Sequence, residues 1–173
     1  MLMKKIFLPV VILVAALSFK AAGDGTPESQ TTLTKIGEIS PVQSVHTIDG
    51  QALDFHGKVV VLDFFATWCG PCMQEMPRIN TDIYQPLKDK GLVLISIGRE
   101  HSVSEMKTFQ EQKNYSWAFV ADPKREIYGK FATQFIPRTV VIGKDGQIKY
   151  QAMGYSPAEF TTMVNAVKEE LAK

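Results

Sequence analysis

The chain has 173 residues, an apolar fraction of 45% and a formal net charge of +1, which suits one domain with a full core and excludes a disordered or repeat protein. With no long run of Lys or Arg, it lacks the electrostatic footprint of a nucleic-acid binder or of a protein drawn to anionic membrane surfaces. No nucleic-acid partner is expected.

Lys4 and Lys5 precede an apolar run over 6–19 that only Pro9 and Ser18 interrupt. The run is short for a membrane span, and Ala21-Ala22-Gly23 offers small residues for cleavage before Asp24, so residues 1–23 read as a signal peptide, with an uncleaved membrane anchor as the alternative. No cysteine lies there to carry a lipid. Export places the mature chain where disulfides persist, which in a two-membrane bacterium is the periplasm. Residues 24–34 are polar, with Gly25, Pro27 and Ser29, and read as a linker ahead of a single domain over 35–173.

Around Asp49-Gly50, apolar residues from Val45 to Phe55 predict a short hairpin. Residues 59–65, VVVLDFF, read as a buried strand that runs into the two cysteines of the chain, Cys69 and Cys72. Beyond them Met76, Ile79, Ile83 and Leu87 recur at helical spacing, with Pro77 predicting a kink. A second buried strand is expected over 92–97, a helix marked by Val103, Met106 and Phe109, a strand over 117–120, and a third helix through Ile127, Tyr128 and Phe131. Strand–helix alternation argues an α/β sheet with parallel neighbours. Residues 139–142 and 147–153 are joined by a turn too short for a crossover and predict an antiparallel hairpin. The last helix has Ser156 as N-cap, Pro157 at its first position, Glu159 completing a capping box, and a stripe of Phe160, Met163, Val164, Val167 and Leu171.

The chemistry lies in WCGPC. A structural disulfide here would close a loop so short that it restricts the unfolded chain by only about 2 kcal/mol, against roughly 4.7 for a 100-residue loop. A zinc site needs four ligands, and His46, His56 and His101 show no paired ligand spacing. Neither a metal nor a cofactor is expected. Two cysteines between a strand and a helix start instead describe a redox centre, where N–H dipoles favour a thiolate.

WCGPC after a strand carrying Asp63, with Pro77 five residues past the second cysteine and Ile136-Pro137 before a hairpin, resembles the thioredoxin fold. More narrowly it is similar to the exported TlpA/ResA-type thiol-disulfide oxidoreductases, over residues 35–173. The resemblance implies a central mixed β-sheet flanked by helices, with an N-terminal β-hairpin extension. It also implies reduction of protein disulfides through a Cys69–Cys72 couple, with a membrane thiol transporter as electron donor, often in cytochrome c maturation, by a monomer. Cys69, nearer the helix N-terminus, would attack, and Cys72 would resolve the mixed disulfide. Asp63 matches the buried carboxylate that moves the proton of the second cysteine, and Glu75 matches an acid of ResA-like proteins. Pro137 would be a cis-proline facing the disulfide, with Ile136 pairing to substrate backbone.

Trp68, Gly70 and Pro71 would form the contact surface. Arg138 stands where many thioredoxins have Thr, and is expected to lower the Cys69 pKa or to meet acidic partners. Arg99, Glu100 and His101 sit at a strand end on the same rim, where a solvated loop is the plainer account, and His46 and His56 read as surface residues. A thiol peroxidase of the peroxiredoxin type is the rival on the same fold, although Thr67 is one position off its Thr-x-x-Cys pattern. A copper carrier is the other, although it would want C-x-x-x-C. The Gly70-Pro71 dipeptide is that of thioredoxin, whose potential is near −270 mV against about −120 mV for the oxidant DsbA, and favours reduction.

Overall fold

The computed structural model describes residues 26–173, so the signal or anchor reading of 1–23 lies outside the described residues. Among these residues the central sheet has five strands: β3 (Val59–Phe65), β4 (Leu92–Arg99), β5 (Ala118–Asp122), β6 (Arg138–Ile142) and β7 (Ile148–Met153). They lie in the order β5-β4-β3-β6-β7, with β3, β4 and β5 parallel and β6 and β7 antiparallel. Ahead of them β1 (Ser44–His46) and β2 (Ala52–Asp54) pair as the expected hairpin, turned at Gly50 with φ of +81°, a conformation that glycine adopts without strain. The fold is an α/β thioredoxin fold with a mixed sheet.

All seven residues of β3 are buried, as a strand covered on both faces requires. Side chains alternate along it. Val59, Val61 and Phe65 join the core that includes Cys69, Cys72 and Met76, together with Phe160 of the last helix, whereas Val60, Leu62 and Phe64 face Phe55, Tyr128 and Phe131. Asp63 is an odd-numbered position. The period of two therefore assigns its carboxyl to the face that holds the cysteines.

Helix α2 (Gly70–Arg78) begins on the third residue of the motif, passes Pro77 and opens into π-helical turns over Ile79–Tyr84 before α3 (Gln85–Leu87). Proline has no N–H for the carbonyl four residues back, and the wider turns follow directly. Helix α4 (Val103–Lys113) carries a full reciprocal capping box between Ser102 and Glu105. Val103 stands exposed at its start, so only Met106 and Phe109 of the expected stripe are buried. In α5 (Pro157–Ala172) Ser156 caps Glu159 N–H, but the Glu159 carboxylate takes the Ser156 hydroxyl, so the expected box is one-sided.

Two expectations are corrected. The third helix is a single 3₁₀ turn over Tyr128–Lys130, because the buried Asp122 carboxylate takes the N–H groups of Ile127 and Tyr128. One turn already delivers Tyr128 and Phe131 to Phe64, at centroid distances of 5.6 and 5.2 Å. The stretch read as a linker is, from Thr26 on, part of the domain: α1 (Pro27–Thr31) follows a Thr26 N-cap, Thr31 and Thr34 are buried, and Leu33 N–H donates to Phe131 O. Its polar residues read as solvated because their partners, chiefly Arg138, lie more than a hundred residues away.

Candidate active site

Cys69 and Cys72 form a disulfide with an S–S distance of 2.07 Å and Cα atoms 5.3 Å apart. Cys69 is the N-cap of α2, and its sulfur accepts the Cys72 N–H at 3.3 Å. An N-terminal turn supplies unsatisfied N–H groups and positive dipole to that sulfur. Cys72 is fully buried, whereas Cys69 opens onto a cleft of about 510 Å³ that it shares with Trp68, Gly70, Pro71 and Ile136. Trp68 is 65% exposed beside it. The Ile136-Pro137 bond is cis, as expected, and Ile136 O lies 3.8 Å from Cys69 Sγ.

Two acids are buried on the cysteine side of the sheet. Asp63 sits in register with Ser96 on β4 and with Thr139 on β6. The three make one polar row across an otherwise apolar surface. Ser96 Oγ donates to Asp63 Oδ2 at 2.8 Å and accepts Trp117 Nε1–H at 2.9 Å. Indole N–H is a donor only, so it holds the serine oxygen as acceptor and turns the single hydroxyl proton towards Asp63. Thr139 Oγ1 donates to Glu75 Oε1 at 3.3 Å. Among the described residues, nothing hydrogen-bonds the buried Asp63 Oδ1 and Glu75 Oε2.

Burial pushes the Asp63 carboxyl up to about 7, against the smaller lowering effect of Ser96. Glu75 is pushed up to about 8, first by burial and then by the charge of Asp63, with Thr139 opposing. Each acid ionises only with difficulty in apolar surroundings, and each resists the ionisation of the other. The pair can hold or release a proton near neutral pH, as acid–base work requires.

Arg138 is not in the site. It is 4% exposed and its guanidinium donates to Gln134 O, Thr32 Oγ1 and Thr31 Oγ1. Thr139 faces Glu75, and strand alternation sends its neighbour Arg138 to the opposite face of the sheet. The expectation that it lowers the Cys69 pKa or meets acidic partners is corrected. His101 is buried, and its Nε2 accepts the Thr67 N–H at 3.0 Å, which ties the segment leading into Trp68-Cys69 to the end of β4. Arg99 lines the cleft and Glu100, exposed, pairs with it at 3.1 Å. The solvated-loop account therefore holds for Glu100 alone. His46 and His56 are exposed.

The Redoxin family model matches residues 24–171. The chain belongs to the Redoxin family. Over 128 residues it is 30% identical to the thiol-disulfide oxidoreductase ResA of Bacillus anthracis, covering 72% of this chain and 73% of that protein. The solution structure of a candidate protein disulfide isomerase from Bacteroides thetaiotaomicron is 32% identical with a TM-score of 0.77, covering 83% of this chain and 94% of that one. A candidate thiol:disulfide interchange protein DsbE from Chlorobium tepidum is 25% identical with a TM-score of 0.68, covering 79% and 98%. This Redoxin family member is a TlpA/ResA-like thiol-disulfide oxidoreductase with the thioredoxin fold.

Sequence reasoning left out Ser96, Thr139 and Trp117 as the groups that hold the acids, and Arg125 and Phe135 on the cleft wall. The signal for Ser96 was present: a lone hydroxyl within the apolar run LVLISI needs a buried partner. Nothing local marked the others.

Proposed function

We propose that the protein is an exported reductant of protein disulfides, in which Cys69 attacks, Cys72 resolves, and Asp63 with Glu75 manages the proton. The observation that carries this reading is the asymmetry of the couple: Cys69 caps α2 at the floor of an open cleft, while Cys72 is sealed in the core on the face that holds the two acids. The Cys69 thiolate attacks one sulfur of the partner disulfide, forming a mixed disulfide and releasing the other partner sulfur as a thiolate. Cys72 gives its proton to the acid pair and attacks Cys69 Sγ. The Cys69–Cys72 bond forms, the second partner sulfur leaves, and two electrons have passed to the partner.

Return to the dithiol needs an external dithiol donor, for which a membrane thiol transporter is the proposed source; a maturing cytochrome c is one such substrate. Trp68, Gly70, Pro71, Ile136 and Pro137 frame the contact surface. No cofactor beyond the dithiol enters these steps, and one chain supplies every residue named, which supports action as a monomer. Export rests on Lys4, Lys5 and the apolar run over 6–19. Among the described residues, no helix is long and apolar enough to cross a membrane.

Equilibration of the Cys69–Cys72 couple against glutathione tests the direction. A potential near that of thioredoxin, about −270 mV, is expected, and one near that of DsbA, about −120 mV, overturns the reductant assignment. Trapping with Cys72→Ser, which stalls the mixed disulfide on Cys69, then identifies the partners.

A further inference from the structure

The cleft beside Cys69 has a chemical character that disulfide exchange alone does not require. Among the described residues, its walls carry two guanidinium groups, Arg99 and Arg125, and no carboxylate. Both are held in place. Their Cζ atoms lie 5.1 and 5.2 Å from the ring centroid of one buried tyrosine, Tyr128, a cation–π arrangement that fixes a flat cation before anything binds. Tyr128 in turn donates its hydroxyl to Phe135 O at 2.6 Å. Phe135 has φ of +68° and is 48% exposed, on the same cleft wall.

The two arginines differ in their partners. Arg99 shares its charge with Glu100 through Nε and Nη2. Arg125 donates from Nη2 to Thr133 O, has no partner at Nε, and makes no ion pair among the described residues. Of the acids near it in the chain, Asp122 is committed to the N–H groups of Ile127 and Tyr128, and the adjacent Glu126, an exposed residue, forms no ion pair with it among the described residues. A net positive charge thus shares the cleft with the reactive Cys69 and two exposed aromatic residues, Trp68 and Phe135.

We propose that this cleft selects protein disulfides whose cysteine is flanked by an acidic side chain, with Arg125 as the principal specificity residue and Arg99 as its second. The proposal rests on the reductase reading. An extended peptide laid across Ile136 towards Cys69 brings the side chains next to its cysteine onto the Arg125 wall. A carboxylate there gains a preorganised cation without the entropy cost of ordering it, whereas a lysine meets like charge.

The experiment uses the reduced protein in single-turnover reactions with three disulfide-linked peptides, identical except for Glu, Gln or Lys next to the cysteine. The wild type is expected to reduce the Glu peptide about five to ten times faster than the Gln peptide at low salt, with the Lys peptide slowest. The Glu advantage shrinks at high salt and falls to about one in Arg125→Asn, a substitution suited to the left-handed backbone there, whose φ is +60°. Arg99→Gln reduces it partially. Equal Glu and Gln rates in the wild type overturn the proposal, as does an advantage that persists in the Arg99→Gln/Arg125→Asn double variant. An Arg125-dependent advantage seen with glutathione disulfide but not with the Glu peptide also overturns it, because the cleft would then serve a small carboxylate thiol. Failure of the wild type to reduce any of the three peptides defeats the reductase reading instead.

Discussion

Asp63 enters the centre of the sheet with one hydrogen bond, and the donor of that bond decides how readily it ionises. Among the described residues, Ser96 is the one group that lowers its pKa against burial, and Trp117 keeps the serine hydroxyl pointed at it. In Ser96→Ala the carboxyl should titrate about one pH unit higher, and Trp117→Phe, which frees the hydroxyl to turn, should shift it less in the same direction. Carboxyl ¹³C NMR of the oxidised protein reads both; an unshifted Asp63 in Ser96→Ala removes the serine from the site. Glu75 gives a second check, because the charge of Asp63 is one of the two causes that raise it. In Asp63→Asn, Glu75 should titrate below its wild-type value. Asp63 and both cysteines were legible in the sequence because each breaks a pattern: an acid in an apolar strand, and two thiols at a strand end. Thr139 and Trp117 break none. The role of Thr139 comes from its cross-strand register with Asp63, and that of Trp117 from a side-chain contact with Ser96 across the fold, neither of which a local window contains.

At the scale of elements, α1 and β6 are joined by one side chain. Arg138 connects Thr31 and Thr32 to the sheet through two of its three hydrogen bonds, so a segment that looks like a linker behaves as an outer layer of the domain. Arg138→Thr should lower stability by about 1–3 kcal/mol and speed proteolytic cleavage within 26–34. It should leave the Cys69 thiol pKa where it was, since the guanidinium lies on the opposite face. Urea unfolding, limited proteolysis and thiol titration measure the three outcomes, and a shifted Cys69 pKa would restore Arg138 to the site. The strands and the long helix α5 were readable because their periods of 2 and 3.6 survive in the sequence. The single turn at Tyr128 was not, since two buried aromatics three residues apart suit a 3₁₀ turn as well as a helix, and Asp122 decides between them.

For the molecule as a whole, the acid pair places two ionisable groups in a largely apolar core, and it ties stability to pH. In the unfolded chain these carboxyls have ordinary values of 3.8 and 4.5, while in the fold they are pushed up to about 7 and about 8. The folded state therefore binds more protons than the unfolded state between about pH 4 and pH 8. Its stabilisation relative to a pair of permanent charges is complete below pH 4 and is lost as pH rises through the folded values. The oxidised protein should accordingly be more stable at pH 5 than at pH 8. Asp63→Asn removes one ionisation and much of the slope: near pH 4 the variant should match the wild type closely, and at pH 8 it should be the more stable by an amount on the order of a few kcal/mol. Urea midpoints across this range test the sign directly. A gain in Asp63→Asn that is the same at pH 4 and pH 8 would mean that packing, not ionisation, is what the substitution relieves. A gain that grows with pH would establish that the fold tolerates a buried base at the expense of its own stability, which is the condition for that base to take the Cys72 proton at neutral pH.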